Sequence, residues 1–396
     1  MSSGSGARTP RPDWHSARHQ AFLAATSLSA TPVPLNEAIG RVVASDIIAL
    51  CEVPHYASSA MDGWAVAGPP PWRVVTAERL VPGEASVIVT GGLIPAGAHG
   101  VLRSEHAAMF TEDDGSKLIE HSSDAREDEP RENEHVRPAG EEVAMDDTVI
   151  RAGTSLNPAH IAVAAVCGYD ELPVLARPSV GIVLTGDEVV EHGIPAPGHV
   201  RDTFGPQLPA FIAMLGGEVT ASHRLPDDLE RLISAIHEQS DVDVIITTGG
   251  TGGSDVDHLH SALRAVEAEI LIDGVAMRPG GPSLLAKLPD GRFLVGLPGN
   301  PLAAMMGILT LVQPLLAGLA GAAEPVLGTV ITGRELTGRP GLSRLLPYRL
   351  EDGTALKSQW FGSGMLRGLA EADGVLISPP PGAALGESVQ TIPLPW

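Results

Sequence analysis

The stretch Thr247-Thr-Gly-Gly-Thr-Gly-Gly-Ser-Asp-Val-Asp-His258 follows the apolar run Asp241-Val-Asp-Val-Ile-Ile246 and opens a segment of helical spacing. A strand therefore delivers a glycine-rich turn beside carboxylates. Glycines let backbone N–H groups converge on an oxyanion without obstruction, and a helix N-terminus behind them adds partial positive charge. Gly249, Gly250, Thr251, Gly252, Gly253 and Ser254 are accordingly candidate anion-binding residues. No Gly-Lys-Ser/Thr follows the glycines, and the turn is not a G-x-G-x-x-G in a first βα unit. Nucleoside triphosphate hydrolysis is disfavoured.

Working outward, strand-like runs over 179–186, 219–225, 242–248 and 270–277 alternate with helical patterns over 206–215, 228–239 and 254–266. That alternation predicts a doubly wound α/β domain whose ligand crevice lies beyond the carboxyl ends of its strands. Thr185-Gly-Asp-Glu188 emerges there, with its carboxylates facing the crevice. Arg278-Pro-Gly-Gly-Pro282 and Leu297-Pro-Gly-Asn-Pro301 are proline-bracketed turns, and two in one domain suggest a shaped pocket. Asn300 can cap the helix that follows and Pro301 can occupy its first position, leaving an N-terminus open to an anion. Asp255 and Asp257 open the helix after the glycine turn. There they complement its dipole, or hold Mg²⁺ together with a substrate's phosphate oxygens. His258 and His260 cannot share one helix face and are read as packing or solvent-facing residues.

Upstream, residues 13–28 form a short helix and residues 35–46 again show helical spacing. Between about 53 and 143 the texture changes to short β-rich pieces, WRVV and SVIVT among them, broken by Gly and Pro turns. Within it, residues 120–134 are so charged that they read as a solvated loop without chemistry. Asp62, in Ser58-Ser-Ala-Met-Asp-Gly-Trp-Ala65, is an Asx-turn residue or a functional acid. Thr90, in Val89-Thr-Gly-Gly92, ends a strand. Asn157-Pro-Ala-His160 opens a capped helix that ends at Gly168, and strands and turns resume beyond about 327.

The chain has 396 residues, 43% of them apolar, a mean hydropathy of +0.12 and a formal charge of -22. It is a folded chain of several domains. The acidic excess repels nucleic acid and anionic lipid at long range, while a few donors can still hold a small anion locally. Cys51 and Cys167 form no metal or disulfide framework, which fits a reducing cytoplasm. Residues 1–12 lack the apolar segment of a signal peptide and read as a flexible tail. Residues 302–323 have the length of a membrane span, but Gln313-Pro314 and the absence of flanking cations favour a buried helix bent near Pro314.

The ordered segments LNEAIGRVVASDI, EVPHYASSAMDGWAV, VTGGLIPAGA, RPAGEEV, VLTGDEVV, VRDTFGPQLPAFIAMLGGEV, RLPDDLE, IITTGGTGGSDVDH, GVAMRPGGPSLLAKL and FLVGLPGNPLAAM resemble one family. It is that of the molybdopterin molybdenumtransferases, the MoeA proteins and the E domain of gephyrin. The resemblance implies an elongated α/β-plus-β chain, with a tail over 1–12 and an arm or dimerisation domain over 13–52 and 143–177. A β-rich domain over 53–142, a MogA-like doubly wound pterin-binding domain over 178–326 and a small C-terminal β domain over 327–396 complete it.

The same resemblance implies insertion of molybdate into adenylylated molybdopterin with release of AMP, assisted by Mg²⁺. The protein would be a cytoplasmic homodimer binding neither nucleic acid nor membrane, with a MogA-like adenylyltransferase upstream. Carried over by position, Asp62, Glu188, Asp257 and Asp227 would be catalytic, with Asp257 and Glu188 holding metal. Thr90, Thr185, Gly186, Asp187, Asp202, Thr203, Gly249 to Ser254, Arg278, Gly280, Pro298, Gly299, Asn300 and Pro301 would bind substrate. Asp62 and Thr90 would act across the dimer interface. Departures from the family pattern stand at Ser58, Gly92, Leu93, Glu142, Phe204 and Gly281; Gly281 replaces a lysine in Pro-Gly-Lys-Pro. They motivate a second reading, a pterin-binding scaffold without turnover. A phosphosugar or nucleotide hydrolase on a similar domain is a third.

Overall fold

The computed structural model describes residues 10–249 and 258–396. Backbone contacts divide the chain into two units. One comprises the chain up to Thr31, Gly40–Val42 and Val174–Trp396; the other comprises Pro32–Ile39 and Val43–Pro173.

The first unit contains the expected doubly wound sheet. Its strand order is Glu218–Arg224, Ser179–Leu184, Val244–Thr248, Phe293–Leu297, Leu284–Lys287, Glu269–Asp273. The first four strands run parallel and the last two are antiparallel to their neighbours. Successive side chains of a strand point to opposite faces, so Val244 and Ile246 enter one core with Phe211 and Leu309. Ile245 enters the other with Leu232, Ile236 and Leu259. The hairpin Leu284–Lys287 and Phe293–Leu297 was not foreseen, although Asp290-Gly291 between two apolar runs is a turn signature. The Leu35–Asp46 pattern yields only the single helical turn Leu35–Ala38. Gly40 then takes a φ of 77°, and the β-branched Val42 and Val43 are buried in extended pairing.

The apolar segment Pro301–Leu319 has a mean hydropathy of 1.9 and is 83% buried inside the fold, where it serves as a core helix. Its middle, Ile308–Val312, widens to a π turn. Pro314 has no N–H and its ring crowds the carbonyl four residues back, and the wider turn absorbs this. Gln313 N–H bonds to Ile308 O, so Leu309 O is left without its usual helical donor. Arg18, 3% exposed, donates to that carbonyl, and Trp14 Nε1 donates to Thr310 Oγ1 at 2.9 Å. The helix Trp14–Ala24, capped by Asp13, is thus docked on the irregular turn of the core helix.

The C-terminal strands form a second six-stranded sheet in this unit. Its edge strand is Met277–Arg278, paired in parallel with Ser343–Glu351. Leu345, Val375, Ile377 and Ile392 turn into the core shared with the α/β sheet.

In the second unit, six strands order as Gly100–Arg103, Gly63–Ala67, Glu84–Ile88, Trp72–Val74, Lys117–His121, Ala107–Thr111. Outside this sheet, Ile47–Ile48 pairs with Thr148–Ile150, and Val53 bridges Val143, so the chain leaves and re-enters side by side. The capped helix after Asn157 runs Pro158–Val166 with a complete capping box. Residues 120–134 keep most of their charges exposed, as expected of a solvated loop, but Glu129 is only 3% exposed. His106 Nδ1 lies 2.7 Å from its carboxylate, with Arg103 and Arg126 within 3.8 Å. Only Glu129 turns inward, while Asp124, Arg126, Glu127, Asp128, Arg131 and Glu132 remain exposed.

Candidate functional site

Strand ends of the α/β sheet are stitched together where ligand chemistry was expected. Thr185 N–H and Thr185 Oγ1 both donate to Thr248 O, at 3.3 and 2.8 Å. Gly249 N–H donates to Leu297 O at 2.9 Å, so that amide is not available to an anion. Gly249 has a φ of 92°, and a Cβ there would lie 2.7 Å from Thr185 Oγ1, so only glycine fits. Gly250, Thr251, Gly252, Gly253, Ser254, Asp255 and Asp257 lie outside the described residues. The anion cradle and the Asp257 ligand expected there have no structural account.

Beside these ends, Asp187 and Asp227 tie two loops reciprocally. Asp187 N–H donates to Asp227 Oδ2 and Asp227 N–H to Asp187 Oδ1, each at 3.3 Å. The Glu188 carboxylate folds back over Gly186, its Oε2 3.1 Å from where a Cβ of that glycine would stand. Asp202 has a different duty. Its Oδ1 accepts from Phe204 and Gly205 N–H, and its Oδ2 meets Arg224 at 2.6 Å. Burial alone would raise its pKa, but these two amides and Arg224 hold it below the usual aspartate value. Asp202 therefore fixes the loop, with its oxygens occupied, and Thr203 lies beside it. Phe204 packs partly into the main core, which accounts for an aromatic residue at that position.

Asn300 occupies the cap position of the core helix with Pro301 at its first turn, but its side chain makes no capping bond. The third amide of that helix, Ala303 N–H, is taken by Ser363 O at 3.1 Å. The helix end thus offers an anion less than the sequence suggested.

The cations converge elsewhere. A cavity of about 450 Å³ opens at the Arg278–Pro282 turn and is bounded by Pro298, Asn300 and Ser363. Arg11, Arg278, Arg339 and Arg344 all line it. Arg278 and Arg344 are register partners on adjacent parallel strands. Among the described residues no carboxylate makes an ion pair with any of the four. Like charges side by side in a ladder are destabilising, and an anion between them removes the repulsion. Gly280, φ 95°, is required because a Cβ would meet Met277 Cε at 2.8 Å and Ala303 O at 2.9 Å. Sequence reasoning found Arg278 but missed Arg11, Arg339 and Arg344. The available signal was their scarcity, with 26 Lys and Arg in the whole chain.

In the second unit the structure brings Asp62 and Thr90 together. Thr90 N–H donates to Asp62 Oδ1 at 2.6 Å across 28 residues, so Asp62 joins two loops and does not form a local Asx turn. This amide and the Thr90 hydroxyl lower the Asp62 pKa. Gly63 is obligatory beside it, because a Cβ would fall 2.1 Å from Leu102 O. Among the described residues, no three His, Cys, Asp or Glu side chains gather as a metal site. His260 pairs with Asp273 at 2.9 Å.

Residues 14–168 match the family model described as MoeA N-terminal region, domains I and II, and residues 181–318 match that of a probable molybdopterin binding domain. Over 98% of its length the chain is similar to a molybdopterin biosynthesis MoeA protein from Pyrococcus horikosii. That likeness covers 99% of the other chain at a TM-score of 0.77 and 24% identity. A molybdenum cofactor biosynthesis protein from Pyrococcus furiosus matches over 97% of this chain and 99% of its own, at a TM-score of 0.60 and 18% identity. The architecture is therefore that of multidomain MoeA-like proteins. Molybdopterin molybdenumtransferase from Staphylococcus aureus is 32% identical, covering 76% of this chain and 74% of its own. That from Staphylococcus epidermidis is 30% identical, covering 73% and 71%. The chain belongs to the molybdopterin molybdenumtransferase family, and is a transferase of molybdenum cofactor biosynthesis.

Proposed function

We propose that the chain inserts molybdate into adenylylated molybdopterin and releases AMP. The observation that carries this reading is the rung Arg278–Arg344, two guanidiniums that open on one cavity and meet no carboxylate among the described residues, Arg344 donating to Thr337 O at 3.0 Å, in a chain of net charge -22. Guanidinium forks match tetrahedral oxyanions in geometry and charge. Molybdate would sit in that cavity, while the pterin phosphates approach the strand ends at Thr185, Gly186 and the glycine turn. Pro298 and Gly299 shape the wall between them.

Glu188 offers a hard oxygen donor at the strand ends, as Mg²⁺ prefers when it binds through one or two carboxylates and substrate phosphates. Asp257 would be the second carboxylate. Bound there, Mg²⁺ would neutralise charge on the phosphoanhydride. Asp62, ionised through its bond to Thr90, would accept a proton from, or orient, the attacking water. Holding both substrates in place supplies much of the remaining rate.

We further infer a cytoplasmic homodimer, with 13–52 and 143–177 as the dimerising arm and 53–142, 178–326 and 327–396 as the other domains. Asp62 and Thr90 would face the α/β domain of the partner subunit. A MogA-like adenylyltransferase would supply the substrate.

The test is to incubate purified protein with adenylylated molybdopterin, Mg²⁺ and molybdate, and to measure AMP. Molybdate-dependent AMP release is expected. Gly281, which leaves that one position of its turn without the family's lysine, favours a second reading as a non-catalytic pterin-binding scaffold. Tight pterin binding without AMP would select that reading.

A further inference from the structure

We propose that Arg11, on the segment preceding the first helix, is an oxyanion-binding residue of the arginine-lined cavity. This rests on the reading of that cavity as the oxyanion site. The guanidinium of Arg11 lies over two glycines. A Cβ at Gly274 would fall 2.5 Å from Arg11 Nε and 2.9 Å from Cζ, and one at Gly281 would fall 3.5 Å from Nη1. The Gly281 position is closed to a side chain for a second reason, since its Cβ would also meet Met277 O at 2.9 Å. The turn therefore supplies no cation of its own at residue 281, and the guanidinium of a distant segment covers it.

The backbone holds Arg11 there. Ala276 N–H donates to Pro12 O at 2.9 Å, and Asp13 bridges Ala276 in parallel. Asp13 caps the following helix through Ser16 N–H at 3.0 Å, and Trp14 is fully buried. Proline fixes φ immediately after Arg11. An arginine whose backbone is anchored beside the cavity, with no carboxylate partner among the described residues, is free to meet a ligand there. With Arg278, Arg339 and Arg344 it gives the cavity four guanidiniums, of which Arg344 also donates to Thr337 O at 3.0 Å.

The test is calorimetric titration of the full-length chain with molybdate alone, comparing the natural protein with Arg11→Ala and Arg11→Lys. Arg11→Ala should weaken molybdate binding about tenfold or more, since a charge-assisted contact is lost. Arg11→Lys should recover part of it, because an ammonium keeps the charge and loses the fork. Both variants should melt as the natural protein does, because Arg11 is exposed. If Arg11→Ala destabilises the fold, Arg11→Lys against the natural protein decides. Equal molybdate affinity in the natural protein and the folded variants overturns the role of Arg11 and leaves the cavity reading standing. No molybdate binding by the natural protein overturns both.

Discussion

Glu129 shows how far a single side chain can depart from what its neighbours suggest. It stands among Arg126, Glu127, Asp128, Arg131 and Glu132, a composition that argues for solvent. Local composition cannot reveal that Arg103 and His106, from another strand and turn, reach its carboxylate. Burial would raise the Glu129 pKa, but the hydrogen bonds from His106 and the Arg126 amide and the charges of His106 and Arg103 bring it below the ordinary glutamate value. A carboxylate depressed in the folded state stabilises the protein above its unfolded pKa, and that contribution is lost as pH falls through the folded pKa. Glu129→Gln should therefore cost on the order of 1–3 kcal/mol in urea unfolding at pH 7. The gap between variant and natural protein should close below the ordinary glutamate range near pH ~4.3. A gap that persists in acid would mean the loss is one of packing. Asp62 was more legible, because an acid and a glycine between apolar neighbours stood out. Its partner Thr90, 28 residues away, was tied to it only by the resemblance.

Among the elements, the parallel strands were readable from alternating apolar runs and their intervening helices, since a strand buried on both faces is nearly continuous in Val, Ile and Leu. The core helix was readable as buried, and Pro314 signalled an irregularity. Which element would answer that irregularity was not readable, because Trp14 and Thr310 are 296 residues apart. The π turn and the first helix explain each other: one frees a carbonyl at Leu309, and the other brings Arg18 to it. Thr310→Val keeps the volume of the side chain and strands the buried indole N–H of Trp14. It should destabilise the fold by about 1–3 kcal/mol in denaturant titrations. A neutral result would show that the indole finds another acceptor. Asn300 illustrates the opposite failure, a good capping residue in the right place whose task is done by Ser363 O from the C-terminal region. Local signals name candidates, and tertiary neighbours choose among them.

For the whole molecule, the proposed cleft between subunits makes a direct prediction. Chains carrying Asp62→Ala and chains carrying Glu188→Ala should each release little AMP as homodimers. Mixed dimers of the two contain one cleft with both acids intact, and should recover about half the activity of the natural dimer. If mixing restores nothing, each cleft is built within a single chain. The acidic surface and the arginine cavity also divide their labour by distance. Fields of the whole chain act over about a Debye length, ~8 Å in physiological salt, whereas the guanidiniums act in contact.

The rung that pairs Arg278 with Arg344 spans two stretches of chain far apart in sequence. Arg339 and Arg344 come from one of them and Arg278 from the other, so the arginine-lined cavity is complete only when that edge of the last sheet closes. Any oxyanion held there becomes a clasp on the fold, lending its binding free energy to the C-terminal sheet. On the proposed reading, the protein charged with molybdate would be the sturdier form, and the emptied protein the one that proteases and heat find first.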